Sequence, residues 1–251
     1  MAIERVLIVD EDEANSLFFT MVLKDLGIDQ VFTSINPNEA VELVDQHNIQ
    51  FVITAWEMNI MPGTIFIQKA KRDRKRRHLP TLIYSKRMSD QDLQLTKELG
   101  LSNVLGMPFD KAKARAMISS IIETEGNLPK EEKRIRQIER LLDDEQPVEA
   151  LKLIDYTITK KGPHRVRAKT VIGKVFISLN KLDKAETNLN EALTDDQNYV
   201  PALQALAKVF SLTGQHDKSL EILERLSNNS PKNLTTLINL GSAYVEADRL
   251  D

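Results

Sequence analysis

The sequence predicts two domains of different structural class: an α/β domain built on a five-stranded parallel sheet, followed by an all-α domain of repeated helix pairs. In the first half, short apolar runs rich in β-branched residues alternate with helix-like segments. This alternation is typical of strands that are buried on both faces of a parallel sheet. In the second half such runs are absent, and a period of about 34 residues appears instead.

Length and composition agree with two ordinary globular domains. The chain has 251 residues, of which 41% are hydrophobic and 28% are charged, and a domain usually takes about 150 residues. The net charge of -3 gives no global attraction to nucleic acid or to an anionic membrane. The absence of Cys excludes disulfides, thiolate metal sites and Cys nucleophiles. Because the first residues, MAIERVLIVD, contain charges and lead directly into a strand, we expect a cytoplasmic protein with no membrane partner.

Five strands are predicted in the first half, at residues 6–9, 30–32, 51–54, 81–84 and 103–106. Two of the helices between them have recognisable starts, because Asn36 precedes Pro37 and Ser89 precedes Asp92 by three positions. Five strands and five helices in about 120 residues predict a flavodoxin-like, doubly wound fold. In that fold the functional crevice lies at the carboxyl ends of the strands.

The residues at these strand ends carry a resemblance to a known family. They are Asp10-Glu11-Asp12, Ala55-Trp56-Glu57-Met58, Ser85-Lys86 and Met107-Pro108-Phe109, with Leu79-Pro80 before the fourth strand. In this order they resemble the receiver domain of bacterial two-component response regulators, over about residues 3–123. The resemblance implies an Asp at the end of the third strand that accepts a phosphoryl group, and a divalent metal held by acidic residues after the first.

Two residues depart from that family pattern. Ala55 stands at the phosphoryl-accepting position, and Met107 replaces the Lys that holds the phosphoryl oxygens. The sequence therefore predicts a degenerate phosphorylation pocket with no catalytic residue and no cofactor, formed by Asp10, Glu11, Ala55, Glu57, Ser85 and Met107. Asp10 and Glu11 are either a weak Mg²⁺ site or a solvated acidic loop. Their mutual repulsion is expected to raise the pKa of at least one of them.

This pattern favours a pseudo-receiver that acts by protein contacts in two-component signalling, independently of phosphorylation. One alternative is a conventional phosphorylated response regulator in which Ala55 is an engineered substitution, although Met107 speaks against it. Another is an anion- or nucleotide-responsive receiver that uses the basic stretch at residues 69–78. The residues of that stretch which would form an anion patch are Lys71, Arg72, Arg74, Arg76 and Arg77. The same stretch also fits a solvated helix end, and nucleic acid is not the expected partner.

A linker is predicted at residues 124–130, and helical repeats follow it. Alignment at the period stacks Ile172-Gly173 on Leu206-Ala207 and Leu240-Gly241, and it places an aromatic residue three positions further on in each case. This pattern resembles the tetratricopeptide repeat. We predict a degenerate first repeat at residues 131–165, repeats at 166–199 and 200–233, and a partial repeat at 234–251. We also expect the chain to be part of a longer repeat protein.

The repeats imply protein partners, because tetratricopeptide arrays present a concave groove that accepts a peptide or helix. The groove residues predicted here are Lys169, Lys174, Gln204, Lys208 and Asn239. The receiver half suggests a homodimer through its last helices, where Met117, Ile118 and Ile121 are either an interface or core. The four His residues are scattered and no pair of catalytic groups is evident, so we do not expect an enzyme.

Overall fold

The computed structural model describes residues 3–72, 76–154 and 164–247, without the side chain of Arg72. The backbone forms two compact units, Met1–Leu128 and Pro129–Asp251, which are described separately. The predicted linker at 124–130 is shorter in the structure, because one helix continues to Gly126 and the next begins at Lys130.

The first unit alternates strands and helices in the predicted order. Its elements are β1 Arg5–Val9, α1 Glu13–Lys24, β2 Gln30–Ser34, α2 Pro37–Gln46, β3 Phe51–Ala55, α3 Gly63–Arg72, β4 Thr81–Ser85, α4 Asp90–Glu98, β5 Val104–Gly106 and α5 Lys111–Gly126. All strand pairs are parallel, in the order β2-β1-β3-β4-β5. The prediction of a five-stranded, doubly wound α/β domain is confirmed.

Each face of this sheet has its own apolar core, because successive strand residues point to opposite sides. Val6 and Ile8 of β1 belong to the cluster that α1 and α5 cover, whereas Leu7 and Val9 belong to the cluster under α2, α3 and α4. The predicted capping box before α4 is present, since the Ser89 and Asp92 side chains satisfy each other's backbone amides. Because these strands are parallel, the carboxyl ends of β1, β3 and β4 lie at one edge of the sheet.

Helix α5 uses its apolar stripe for the core of the first unit. Ile118 and Ile121 are buried, and Met117 packs against the same cluster. Of the two roles left open for these residues, the structure assigns the core. At the end of the helix, the Asn127 amide donates to the carbonyls of Glu123 and Thr124, which explains why residues 124–126 are helical rather than linker.

The second unit is entirely helical in its described part. Its helices are α6 Lys130–Asp143, α7 Pro147–Lys152, α8 Arg165–Ser178, α9 Leu182–Asp195, α10 Val200–Leu212, α11 His216–Asn229 and α12 Leu234–Glu246. Consecutive helices pack in pairs, as the predicted repeats require. Two small residues at equivalent positions of the second helices, Ala185 and Ser219, are both buried and allow the helices to pack closely.

The turns between paired helices show the period directly. Asn180 and Gly214, 34 positions apart, both adopt a positive φ, of 53° and 76°. Asn and Gly tolerate this left-handed conformation better than other residues. In the first helix pair the positive φ lies at Glu145, 35 positions before Asn180. The first repeat is thus one residue out of register with the others. The position 34 residues after Gly214, Asp248, lies outside the described residues.

A buried ionic cluster joins α6 to α8. The guanidinium of Arg167 donates to both oxygens of Glu132 at 2.8 Å and to Glu139 at 2.6 Å. The Arg136 side chain also donates to Glu132, at 2.6 Å. Burial by itself would raise the pKa of Glu132, but Arg167 and Arg136 outweigh burial and lower this pKa below its ordinary value of 4.5.

No helix within residues 3–72, 76–154 and 164–247 combines the length and the apolar character that a membrane span requires.

Candidate functional site

The candidate site is a cleft of about 750 Å³ at the carboxyl ends of the strands of the first unit. Its walls come from the turn after β1, the loop after β3, the end of β4 and the residue after β5. The lining residues are Asp10, Glu11, Asp12, Glu13, Asn15, Ala55, Glu57, Asn59, Tyr84, Lys86 and Met107. The structure therefore brings five of the six predicted pocket residues to one cleft. The sixth, Ser85, contacts Glu57 at its edge.

Ala55 is buried at the end of β3, under a tightly closed loop. The Trp56 amide donates to the carbonyl of Tyr84 at 2.8 Å, and the Gly63 amide donates to the carbonyl of Trp56 at 3.0 Å. A Cβ atom at Gly63 would lie 1.9 Å from the carbonyl oxygen of Ala55, so only glycine fits where α3 begins. Hydrogen bonds and the close approach at Gly63 thus fix the backbone next to Ala55. The side chain of Ala55 is a methyl group, which cannot accept a phosphoryl group.

Asp10 is 4% exposed, and its carboxylate is occupied by donors from the protein. It accepts hydrogen bonds from the Asp12 amide at 3.0 Å, from the side-chain amide of Asn15 at 2.8 Å and from the hydroxyl of Tyr84. A carboxylate offers about four acceptor positions, so three of them are already used.

The carboxylate of Glu11 also accepts hydrogen bonds from the protein, here from the loop that follows β3. It accepts hydrogen bonds from the Asn59 amide at 2.9 Å, the Asn59 side chain at 2.7 Å and the Ile60 amide at 2.7 Å. The hydrogen bonds from the amides of Ile60 and Asn59 lower the pKa of Glu11 below its ordinary value. The pKa of Glu11 is thus lowered and not raised, because backbone donors stabilise the ionised carboxylate.

The last side chain of β4 contacts a side chain in the loop after β3. The Ser85 hydroxyl lies 2.9 Å from a carboxylate oxygen of Glu57 and 2.7 Å from the carbonyl oxygen of Arg87, and it accepts the Arg87 amide at 3.1 Å. Ser85 is buried, whereas Glu57 is exposed. A negative charge thus stands beside this hydroxyl, two positions along the chain from Ala55.

Sequence reasoning missed Tyr84, which occupies the floor of the cleft. Its ring packs on Phe19 and Phe109, with ring centroids 4.9 and 5.2 Å away, and its hydroxyl donates to Asp10. Burial, followed by the hydrogen bond to Asp10, raises the pKa of Tyr84, so the hydroxyl keeps its proton. The signal was a Tyr in a strand predicted to be buried, TLIYS, because a buried Tyr usually has a polar partner for its hydroxyl.

The donor set of the cleft does not fit Mg²⁺ in this arrangement. A magnesium ion requires nearly octahedral oxygen coordination with free carboxylate oxygens. Asp10 and Glu11 already accept three hydrogen bonds each, and Ala55 supplies no oxygen ligand. Among the described residues, no group of three His, Cys, Asp or Glu side chains has a metal-binding arrangement.

Lys86 lines the cleft, but it does not restore the position lost at Met107. Lys86 follows β4 and is exposed, whereas Met107 is half-buried against the apolar cluster of α1 and α5. The cleft therefore has an apolar side wall where the receiver family has an ammonium group.

The basic stretch at residues 69–78 is only partly described. Arg74 and the side chain of Arg72 are not among the residues that the structure describes. Lys71 and Arg77 both interact with other groups of the protein. Arg76 pairs with Asp45 and donates to the carbonyl of Val41 at 3.2 Å. The Arg76 side chain thus joins the segment before β4 to α2.

The predicted groove residues of the second unit separate into different environments. Lys169 forms an ion pair at 2.5 Å with Glu191 of its own repeat and is mostly buried. Gln204 donates to the hydroxyl of Thr236 at 2.9 Å, linking the first helices of adjacent repeats. Lys208 is exposed, and Lys174 and Asn239 are half-buried. Lys169 therefore serves packing, and Gln204 lies between neighbouring repeats.

Sequence reasoning also missed a repeated cation–π contact. The ammonium group of Lys184 lies 5.9 Å from the ring centroid of Phe176, and that of Lys218 lies 5.3 Å from the centroid of Phe210. Both residues of the first pair recur 34 positions later in the second. The sequence indicated this contact, because in both repeats a Lys of the second helix follows the aromatic residue by eight positions.

The parallel sheet, the acidic turn after β1 and the Ser and Pro-Phe positions define a receiver-type domain with an altered pocket. The first unit matches the family model described as response regulator receiver domain over residues 6–119. The second matches the model described as Psidin, N-terminal TPR repeats region, over residues 132–250. The chain therefore carries a response regulator receiver domain followed by a tetratricopeptide-like region, and it is a signalling protein of two-component type. Both families are regulatory or scaffold domains.

Several curated proteins are similar to parts of the chain. Chemotaxis protein CheY-3 of Vibrio cholerae is 23% identical over 119 residues, which cover 47% of this chain and 92% of that protein. The probable chemotaxis protein CheY of Rhizobium etli is 25% identical over 117 residues, covering 47% and 91%. BBSome complex member BBS4 of Bos taurus is 33% identical over 75 residues, covering 30% and 14%.

Solved structures similar to the chain include chemotaxis protein CheY4 of Vibrio cholerae, crystallized at low pH. It has 22% sequence identity and a TM-score of 0.45, covering 48% of this chain and 99% of that one. A CheY-like receiver domain protein from Methanospirillum hungatei has 17% identity and a TM-score of 0.46, covering 50% and 98%.

Proposed function

We propose that this protein is a regulatory scaffold of bacterial two-component signalling whose receiver acts without phosphorylation. Its receiver contributes a fixed surface, and its repeats bind a peptide or helix of a partner protein. The observation that carries this proposal is the chemistry of the pocket. Its centre is the methyl group of Ala55, and the acidic side chains around it are bound to donors of the protein itself.

The contact between Glu57 and Ser85 supports a receiver held in one state. A phosphorylation switch depends on a negative charge that appears and biases a two-state equilibrium. Here the Glu57 carboxylate lies 2.9 Å from the Ser85 hydroxyl without any modification. This carboxylate is part of the sequence and needs no modification to lie beside the hydroxyl, so in this proposal binding takes the place of phosphorylation in shifting the equilibrium.

The hydrogen bonds of Glu11 also restrict the backbone around the pocket. They tie the turn after β1 to the loop that follows β3, through the amides of Asn59 and Ile60. An incoming phosphoryl group with a metal ion would have to break these bonds to reach the carboxylate. Since charge-assisted hydrogen bonds are stronger than neutral ones, this rearrangement opposes the phosphorylated state.

The second unit supports partner binding through the first helices of its repeats. Lys174 and Lys208 occupy equivalent positions 34 residues apart, on α8 and α10. Neighbouring first helices are joined by the bond from Gln204 to Thr236 and by the contact of Ser211 with Glu246. This continuous row of helices gives a partner peptide or helix a regular surface.

Phosphorylation independence is tested by incubating the full chain with Mg²⁺ and acetyl phosphate and measuring its intact mass. We expect no added phosphoryl group on the parent protein. The double variant Ala55→Asp with Met107→Lys restores the acceptor and its cationic partner, and we expect it to gain one phosphoryl group. A stable phosphoryl group on the parent protein would refute the proposal.

Partner binding through the groove is tested by affinity capture with the full chain, followed by identification of the retained proteins. The variant Lys208→Glu reverses the charge of an exposed groove position and is expected to lose the specific partner. Lys181→Glu makes the same change in the turn before α9, away from the groove, and should retain it. Equal retention by both variants would exclude the groove as the binding surface.

A further inference from the structure

Helix α1 carries a short apolar stripe on the side opposite the core of the first unit. Leu17 is 61% exposed and Met21 is 51% exposed, although both are large apolar side chains. Residues four positions apart are neighbours on one face of a helix, so these side chains form one patch, which the exposed Ala14 extends. The core side of the same helix is formed by Phe19 and Val22. A shared apolar patch, unlike a single exposed apolar residue, indicates an interaction surface.

Two opposite charges lie at the ends of this stripe. Because each residue turns the helix by about 100°, Glu13 and Lys24 lie roughly 20° apart around it, on the same side as Leu17. Both side chains are exposed, and within the described part of the chain neither forms an ion pair. The neighbouring Asp25 differs, because its carboxylate pairs at 2.8 Å with the ammonium group of Lys111 on α5. The stripe therefore has an acid at its start, apolar side chains in its middle and a base at its end.

This order of groups is complementary to itself when a second copy of α1 runs in the opposite direction. A twofold axis at the level of Phe19, midway between the two apolar side chains, places Leu17 of each copy opposite Met21 of the other. With a rise of about 1.5 Å per residue, Glu13 lies about 9 Å from that level and Lys24 about 7.5 Å from it on the other side. Each Glu13 thus comes opposite the Lys24 of the other copy, so both ion pairs form together with the apolar contact.

We propose that this stripe is the contact surface of a homodimer, in which two copies of the chain pack their α1 helices antiparallel. The charges favour this arrangement, since a parallel one would set Glu13 against Glu13 and Lys24 against Lys24. The contact uses one helix face of each chain, so we expect a weak, reversible dimer with a Kd on the order of 10–100 μM. Such a dimer joins two repeat regions, and a partner with two binding segments would bind it with avidity. The dimer goes beyond the proposed function and does not depend on it.

The dimer is tested by sedimentation velocity of the full chain over a concentration range that spans the expected Kd. Leu17→Glu places a charge in the centre of the contact and is expected to raise the Kd more than about tenfold. Leu93→Glu makes the same change at an apolar residue of α4 that is 42% exposed, and it should leave the Kd unchanged. Because both positions are exposed, neither change disturbs a packed core. A parent chain that stays monomeric far above the expected Kd overturns the proposal.

A charge exchange between two variants tests whether a second copy makes the contact. Glu13→Lys alone and Lys24→Glu alone each set like charges opposite each other in a homodimer, so each should weaken self-association about tenfold. An equimolar mixture of the two variants is expected to associate as strongly as the parent chain, because the heterodimer again has opposite charges at both ends of the stripe. A fluorophore on one variant allows sedimentation to detect that heterodimer.

Recovered association in the mixture supports the proposal, since cover of α1 by another part of the same chain would not respond to a second variant. A mixture that associates as weakly as each variant alone overturns the antiparallel contact. A dimer that Leu93→Glu dissociates and Leu17→Glu leaves intact would assign the contact to α4, and it would also overturn the proposal.

Discussion

The receiver pocket and the interfaces between repeat helices depend on different properties of their side chains. In the pocket the backbone is fixed by hydrogen bonds and by the close approach at Gly63, whereas the side chains of Ala55 and Met107 carry neither a carboxylate nor an ammonium group. In the repeats the side-chain volume is retained at a fixed spacing, as Gly173 and Ala207 show. Phosphoryl chemistry depends on a few atoms that the fold can lose without unfolding. Helix packing depends on small side chains at the contact positions, and larger side chains there would lower the stability of the repeats.

The largest expected effect comes from a substitution at Gly63, which tests how closely the loop after β3 is packed. Gly63→Ala would place its Cβ atom 1.9 Å from the Ala55 carbonyl, and neither backbone can move without breaking the loop after β3. We expect the free energy of unfolding of the first unit to fall by about 3 kcal/mol, measured by urea denaturation. Gly106→Ala, where the added atom meets nothing within 4 Å, is the control and should change it little. Similar stability of both variants would show that the loop is pliable.

A smaller loss is expected from the ionic cluster of the second unit. Arg167→Met leaves Glu139 and Glu132 with fewer cationic partners in a buried site. Removing one member of a buried pair costs about 3–5 kcal/mol. Because the Arg167 side chain is 30% exposed and Arg136 still pairs with Glu132, we expect about 2 kcal/mol in thermal unfolding. An unchanged melting temperature would show that solvent already screens the cluster.

The same cluster gives a pH dependence with a defined sign. The pKa of Glu132 is lowered in the folded protein, so the unfolded state binds more protons in acid. Its stabilising contribution is present above the ordinary value of 4.5 and is lost as the pH falls below it. We expect Arg167→Met to reduce this acid-dependent loss, measured as melting temperature between neutral and acidic pH. A parallel pH profile in the variant would contradict this assignment.

A third effect concerns the hydroxyl in the cleft. Tyr84→Phe removes the donor to the buried Asp10 carboxylate and should destabilise the first unit by about 1.5 kcal/mol, measured by urea denaturation. Tyr244→Phe removes a similar bond, 2.7 Å long, to the exposed carboxylate of Glu224. Because that bond is exposed to solvent, its loss should cost less than about 0.5 kcal/mol. Equal losses would mean that burial of Asp10 does not matter.

The smallest effects compare two glycines at equivalent positions of the repeats. Gly173→Ala places a Cβ atom 2.7 Å from Leu189, a flexible side chain, and should destabilise the second unit by about 1 kcal/mol. Gly241→Ala meets no described atom and should stabilise it by about 0.5 kcal/mol through helix propensity. Thermal unfolding of the two variants measures both. Shifts of the same sign would contradict the difference between the covered and the uncovered face.

Most of the fold was predictable from the sequence, because strand and helix patterns are local. The run FVIT predicted β3, and the pairs Asn36-Pro37 and Ser89–Asp92 predicted where α2 and α4 begin. The period predicted the helix pairs from α8 onward. The extension of α5 to Gly126 was not predictable, since Gly and nearby polar residues equally suit a linker.

The candidate site was predictable only as a set of positions. Motif order placed Asp10, Glu11, Ala55 and Met107 at one edge of the sheet, where the structure also finds them. It did not reveal that Glu11 binds the loop after β3, or that Tyr84 binds Asp10, since each of these contacts joins residues at least 48 positions apart. Lys169 was assigned to the groove for a similar reason, because its partner Glu191 lies on another helix.

The sequence by itself determined the two fold classes, the repeat period and the absence of a phosphoryl-accepting oxygen at position 55, since each depends on residue identity and local spacing. The tertiary structure alone decided which hydrogen bonds occupy the acidic side chains of the cleft and which face of α12 remains uncovered. The reason is physical: hydrogen bonding and burial depend on distances between residues that are remote in the chain, and those distances exist only after folding.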